Sequence, residues 1–346
     1  MASGEPWDAL RIAALRRCVS QERLRTNESE IMTNGFANPK RNPVHRSDTA
    51  VDAREPSDLA EVIGKRFPAK MSDPLDRETA DHEFVGSSRT RVYVAQKSNF
   101  ERLEAHAMGD GGPLVVLGAP GVGKTALLAN WALDHRRRHP EQLVLLHFIG
   151  ATSQSTDWTA MLRRIIQELR KQLQFELHIP EDPDALRSAF AIALHAATVK
   201  TRVVLVLDAL NQLEDRGGAL SLAWLPPEIP ARVRLILSTL PGRLLQELNR
   251  RGYPTLTLTP LSRADRANLI VEYVRHRGQT LDAAHVDRIA SSDQAANPLY
   301  VRLVLDELQF VTSPEYLAGR IGHYLTRHSR NQTGRSVTMP EWASNY

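Results

Sequence analysis

Two groups in this sequence have an evident chemistry: the eight residues Gly118-Ala119-Pro120-Gly121-Val122-Gly123-Lys124-Thr125, and one carboxylate well downstream, Asp208. The eight match G-x-x-x-x-G-K-[ST], the pattern of a loop that cradles phosphate. Polyphosphate needs many donors at close range. Gly118, Gly121 and Gly123 let the backbone curl and aim its N–H groups inward. A helix that opens near Gly123 and runs on through Ala126 adds its positive dipole end. Ala119, Pro120, Val122 and Ala126 complete the candidate cofactor-binding run. Lys124 is placed to reach the β- and γ-phosphates of a nucleotide, and the Thr125 hydroxyl to ligate Mg²⁺.

Asp208 closes the run Arg202-Val203-Val204-Leu205-Val206-Leu207-Asp208, which has the form of a Walker B strand. A carboxylate at the C-terminal edge of a parallel strand lies beside the phosphate loop, where it can hold Mg²⁺ through water. An Asp ending a strand is also a common turn residue. The loop upstream needs an acidic metal partner, which favours the metal role.

Other candidates each carry a plainer reading beside the chemical one. Ser238 and Thr239 end a strand where their hydroxyls can sense a γ-phosphate or simply terminate the strand. Val94 and Tyr93 are candidate adenine contacts or ordinary core. Arg243 reads as a solvated helix end. His135-Arg136-Arg137-Arg138-His139 reads as a solvated helix C-terminus that complements the dipole, with a nucleic-acid patch as the alternative.

These residues need a sheet to position them. Strands are expected at Leu114–Leu117, Leu143–Ile149, Arg202–Asp208, Val233–Ser238 and Thr255–Leu258, with helices at Ala126–Arg138, Thr156–Leu173 and Asp184–Thr198 between them. After Leu261 the strands stop. Helices follow at Arg263–Arg277, Ala283–Ser291, Pro298–Phe310 and Pro314–Thr326, which marks a helical lobe beside the sheet. Pro298 at a helix's first turn is explained by its fixed φ.

The division that results is a largely flexible region at 1–88, a nucleotide-binding α/β domain at 89–260, a helical lobe at 261–326 and a flexible tail at 327–346. In the first region Trp7, Leu10 and Leu15 make at most a marginal amphipathic helix.

The 346 residues carry 44 basic and 40 acidic side chains, so a formal charge of +4 does not argue for a nucleic-acid partner. The one cysteine, Cys18, cannot form an intrachain disulfide, which fits a reducing, cytoplasmic setting. No apolar run approaches the roughly 18 residues of a membrane span, and no signal-peptide pattern opens the chain. No membrane partner is expected.

Taken together, GAPGVGKT, LVLDALNQL (205–213), VRLILSTLPG (233–242) and NPLYVRLVLDEL (297–308) resemble the STAND class of signalling P-loop ATPases, and within it NACHT-type and nephrocystin-like modules. The likeness covers about 75–326. It implies a P-loop NTPase fold: a five-stranded parallel sheet sandwiched by helices, the strand bearing Ser238 lying between the Walker A and Walker B strands, and a C-terminal helical lobe.

The resemblance further implies that nucleotide lies between sheet and lobe with Pro298 touching the base, that ATP, ADP and Mg²⁺ are the cofactors, and that exchange of ADP for ATP opens the molecule to homo-oligomerisation or protein partners. Ala95, Gln96 and Lys97 depart from the family's Gly-Arg-Glu, and Leu240 and Pro241 stand where relatives often carry Arg. Ala209 and Asn211 stand where many relatives place an acid after the Walker B Asp. An amide such as Asn211 can orient water but cannot take its proton, so a slow hydrolysis is expected, with Lys124, Asp208 and Asn211 as catalytic candidates. Glu214 and Asp215 are possible bases or merely solvated.

Three functions follow. The first is an ATP-binding switch with slow Mg-dependent hydrolysis. The second is a nucleic-acid-associated ATPase, resting on His135–His139. The third is a nucleotide-bound scaffold without hydrolysis, resting on Ala209 and Asn211. No guanine signature is present, which tilts the base to adenine.

Overall fold

The computed structural model describes residues 73–90, 92–93, 96–308 and 319–322. The chain divides after Pro68, and all described residues belong to the second unit, Ala69–Tyr346. Trp7, Leu10, Leu15, Val94, Ala95 and the tail 327–346 lie outside the described residues.

Five strands, β1 (Leu114–Leu117), β2 (Leu143–Phe148), β3 (Val203–Asp208), β4 (Val233–Thr239) and β5 (Thr255–Thr257), form one sheet in the order β2-β3-β4-β1-β5. Every pairing is parallel. β4, which bears Ser238, therefore separates β1 from β3, as the resemblance implied. β3 and β4 are buried along their whole length. This is why residues 203–207 and 235–237 read as continuous apolar runs rather than alternating ones.

Alternation survives in which face each residue serves. Val203, Leu205 and Leu207 join one core with helices α4 (Trp158–Leu173), α5 (Pro183–Lys200) and α6 (Arg243–Arg250). Val204 and Val206 join the opposite core, with α2 (Lys97–Met108) and α3 (Lys124–Arg138). Successive side chains on a strand point to opposite faces.

The third core belongs to the lobe. It gathers Ile270 and Tyr273 of α7 (Arg263–His276), Ile289 of α8 (Ala283–Ala290) and Val301 and Leu305 of α9 (Pro298–Leu308). Sheet and lobe meet along the chain at two places, one a contact made by a segment that lies between α1 and α2 and the other a covalent passage from β5 into the lobe. Val92 packs on the lobe while its neighbour Tyr93 packs on the sheet's core; Leu258 lies in the sheet's core and Leu261 in the lobe's.

The expectation of a largely flexible region through residue 88 does not hold for its last stretch. Pro74–Thr90 forms a helix, α1, whose His82 and Gly86 are buried. Its anchoring is polar: the backbone N–H of Phe148 donates to His82 Nδ1 at 3.0 Å, and Thr79 donates to Glu168 at 3.0 Å. Few apolar residues take part, so hydrophobic periodicity gives no signal there. Among the described residues no helix is long and apolar enough to cross a membrane.

Candidate functional site

Four helix starts in this protein are capped by acidic or hydroxyl side chains: Asp157, Asp182, Ser262 and Asp282 each accept from a backbone N–H in the first turn of α4, α5, α7 and α8. α3 opens without such a cap, as α2 and α6 do. Its cap is Gly123, in the left-handed region at φ 102°, with no side chain to fill the first-turn donors. A β-carbon on Gly123 would meet nothing within 4 Å, so the helix start is open on the side where a side chain would stand. Gly121 is also left-handed, at φ 74°. At Gly118 the constraint is proximity, since a β-carbon there would stand 2.7 Å from Val122 Cγ1. The three glycines are thus required by backbone geometry, and the result is a nest that suits an anion.

Lys124 folds back over this nest. Its ammonium donates to the carbonyl oxygens of Gly118 at 2.7 Å and Ala119 at 3.2 Å. Burial lowers its pKa, and the nearby Asp208 opposes that shift.

Thr125, one residue into the helix, donates its hydroxyl to Asp208 at 2.6 Å. Asp208 is 2% exposed. Ser238 donates to its other oxygen and in turn accepts from the backbone N–H of Ala209 at 2.8 Å. Burial pushes the Asp208 carboxyl above its ordinary value, against the hydrogen bonds from Ser238 and Thr125 and the charge of Lys124. A hydroxyl and a carboxylate so placed beside an anion nest form a donor set suited to a hard divalent cation. Ala209 itself is in the left-handed region, at φ 61°, a strained conformation for a residue with a side chain.

The remaining candidates separate. Thr239 is buried at the end of β4 opposite Leu117, the residue before the loop, and its hydroxyl is spent on the Leu240 carbonyl at 3.2 Å. Ala126 lies in the first turn of α3, where its carbonyl accepts from Asn130 at 2.7 Å. Asn211 is exposed on the short 3-10 turn Leu210–Gln212 and is not brought to the Lys124–Asp208 cluster by any hydrogen bond. Glu214 and Asp215 are exposed and pair with Arg216 and Arg243. Tyr93 is core: its ring stacks on Phe100 with centroids 5.9 Å apart.

Pro298 opens α9, as its type predicts. The residue before it does more. Asn297 donates from Nδ2 to the Pro120 carbonyl at 3.0 Å and accepts from the Leu299 N–H at 2.9 Å, tying the lobe to the loop. Sequence reasoning did not single out Asn297, because its partner is a main-chain oxygen and leaves no side-chain signature. The only available hint was an Asn before a helix-opening Pro.

The run His135–His139 is a helix end that is solvated only in part: Arg137 is 78% exposed, as expected, while the others turn back on the protein. His135 is fully buried, and His135, Arg138 and His139 all converge on Glu104 of α2. Arg136 donates to the Val144 carbonyl and Arg137 to Asp134.

Residues 112–277 match the NACHT domain family. A TPR repeat-containing protein of Dictyostelium discoideum is 24% identical over 371 aligned residues, covering 87% of this chain and 22% of that protein. NACHT and WD repeat domain-containing protein 2 of Mus musculus is 34% identical over 191 residues, covering 51% of this chain and 11% of its own length. Nephrocystin-3 of Xenopus tropicalis is 26% identical over 214 residues, covering 58% and 16%. The chain thus spans at most about a fifth of these relatives.

Proposed function

Because residues 112–277 form a NACHT-class ATPase module, we propose that this chain is an ATP-binding switch that hydrolyses its nucleotide slowly with Mg²⁺ and reports the nucleotide's state through the helical lobe. One observation carries the proposal: the phosphate loop is held from two sides, by Asp208 on Thr125 within the sheet and by Asn297 on Pro120 from the lobe. A ligand that rearranges residues 118–125 must act on both contacts at once.

The residues present fit a Mg-nucleotide. Gly121, Gly123 and the uncapped start of α3 offer N–H groups to phosphate oxygens, and Lys124 adds a mobile positive charge. Thr125 and Asp208 would hold the ion, which when bound offsets charge on the β- and γ-phosphates. Thr239 and Pro298 are proposed as γ-phosphate and base contacts, and Val94 as a further base contact. Asn211 is proposed to orient the attacking water. An amide on an exposed turn gives little driving force for proton removal, which supports slow turnover.

Opening of the lobe would expose the face that Asn297 now holds against the loop, and oligomerisation or protein partners would follow. The TPR and WD repeats in the relatives' names support protein partners. The contacts of Arg136 with the Val144 carbonyl and of Arg138 with Glu104 weigh against the nucleic-acid alternative.

The test is nucleotide binding and turnover of the purified chain beside Lys124→Ala, followed by molecular size in ADP and in a non-hydrolysable ATP analogue. Loss of binding by the variant, with a larger particle in the ATP analogue, is the expected result. Equal binding by both proteins overturns the switch. Binding without phosphate release under single turnover would instead identify a scaffold that does not hydrolyse.

A further inference from the structure

The second constellation of chemically competent side chains sits at the far end of the phosphate-loop helix. α3 begins at Lys124 and ends in His135 and Arg138, with His139 as its cap. His135 and His139 are four residues apart and so share a face. Their rings lie 4.6 Å apart, centroid to centroid. Facing them is Glu104, from the last turns of α2. Its Oε2 is 2.9 Å from His135 Nδ1 and its Oε1 is 2.9 Å from His139 Nε2.

We propose that Glu104, His135 and His139 form a Zn²⁺ site that ties the end of the phosphate-loop helix to α2. The three ligand atoms lie within 4.8 Å of one another. A tetrahedral Zn²⁺ with ligands near 2.0–2.1 Å sets them about 3.4 Å apart, inside the range the site already spans. Two imidazoles and one carboxylate are the donor set of zinc rather than of magnesium or calcium, which take oxygen. Water completes the tetrahedron.

The outer groups make the assignment more than a coincidence of three side chains. A metal takes the lone pair of a neutral imidazole, so the opposite ring nitrogen must carry the proton and find an acceptor. Each histidine has one in place. His135 Nε2 faces Gln142 Oε1 at 3.3 Å, and His139 Nδ1 faces Glu141 Oε1 at 3.5 Å. The carboxylate is supported in the same way. Of its roughly four lone pairs, Arg138 takes one on each oxygen, at 2.8 and 2.9 Å, and Trp131 Nε1 approaches Oε2 at 3.3 Å. Arg138 is itself held by Asp134 at 2.8 Å. That leaves the second lone pair of Oε1, the one turned toward His139, for an ion.

The site is independent of the nucleotide reading, and its test does not use nucleotide turnover. The purified chain, stripped with a chelator, is titrated with Zn²⁺ against a chromogenic competitor, and Co²⁺ is used as a visible reporter of tetrahedral coordination. One Zn²⁺ per chain is expected, with His139→Ala and Glu104→Gln each weakening it at least 100-fold and abolishing the Co²⁺ spectrum. Gln142→Leu, which leaves all three ligands intact, should weaken binding about 10- to 100-fold and keeps the test decisive where a ligand variant fails to fold. A wild-type chain that takes up no Zn²⁺, or variants that bind it as tightly as wild type, overturns the site.

Discussion

Gly121 of the phosphate loop and Asn297 of the lobe approach so closely that a β-carbon on the glycine would stand 2.6 Å from the asparagine Oδ1. Gly121 also has φ +74°, so Gly121→Ala brings two costs: about 1–2 kcal/mol for the left-handed backbone and a further 1–3 kcal/mol for the collision. Removing the opposing side chain separates them. Urea unfolding of Gly121→Ala, Asn297→Ala and the double variant should show the pair costing less than the two single losses combined. Strict additivity would mean that lobe and loop do not meet there.

Asp208 sets stability against function. Its folded pKa is raised by burial, so between the unfolded carboxyl value of 3.8 and that higher value the native state binds more protons than the unfolded one. Stability is therefore fullest below the unfolded value and declines as pH rises through the window. Asp208→Asn should flatten this slope and, without nucleotide, stabilise the protein at neutral pH by about 1 kcal/mol. The same change should remove Mg-dependent nucleotide binding. Denaturant midpoints from pH 4 to 8 decide it, and a variant less stable than wild type at neutral pH contradicts the account.

Ser238 links the Ala209 N–H to Asp208. Ser238→Ala leaves a buried donor and a buried carboxylate oxygen short of a partner, at a cost of about 1–3 kcal/mol. The melting temperature should fall by several degrees, and Mg-nucleotide affinity should drop about tenfold. A melting curve superimposable on wild type would show that the hydroxyl supports nothing.

Acid should loosen α1. The rings of His82 and His147 lie with centroids 4.3 Å apart, tilted by 37°, and Arg164 lies against His147 at 3.2 Å. Burial holds both imidazoles below 6.5, and the charge of Arg164 adds to it, while Glu78 pulls His82 the other way. In this case the unfolded chain takes up protons that the native pair refuses, so stability is present above the unfolded value of 6.5 and is lost as pH falls below it. His82→Gln keeps an acceptor for the Phe148 N–H but cannot titrate. Its unfolding midpoint between pH 7 and 5 should fall less steeply than that of wild type; parallel curves would exclude His82.

What could be read from the sequence was what repeats locally. The run 203–207 is apolar at every position because both of its faces are covered, and the loop 118–125 is spelled by its own glycines. The place of Ser238 beside Asp208 came from resemblance to known modules. Contacts that pair a side chain with distant main chain were not legible: Asn297 and Pro120 are 177 residues apart, and nothing about an asparagine announces a carbonyl across a cleft. α1 was missed because its buried face is polar. The charge run at 135–139 was legible only in part because Glu104, 31 residues upstream of His135, is what gives it a purpose.

The passage of chain from sheet to lobe has a mechanical consequence. Leu258 packs in the sheet's core and Leu261 in the lobe's, with two residues between them. Among the described residues this is the one covalent link between the two bodies, because α1 and α2 on either side of Val92 both pack on the sheet. The lobe hangs on a short strap beside β5, free to turn about it, and Asn297 on Pro120 is the latch that stops it turning.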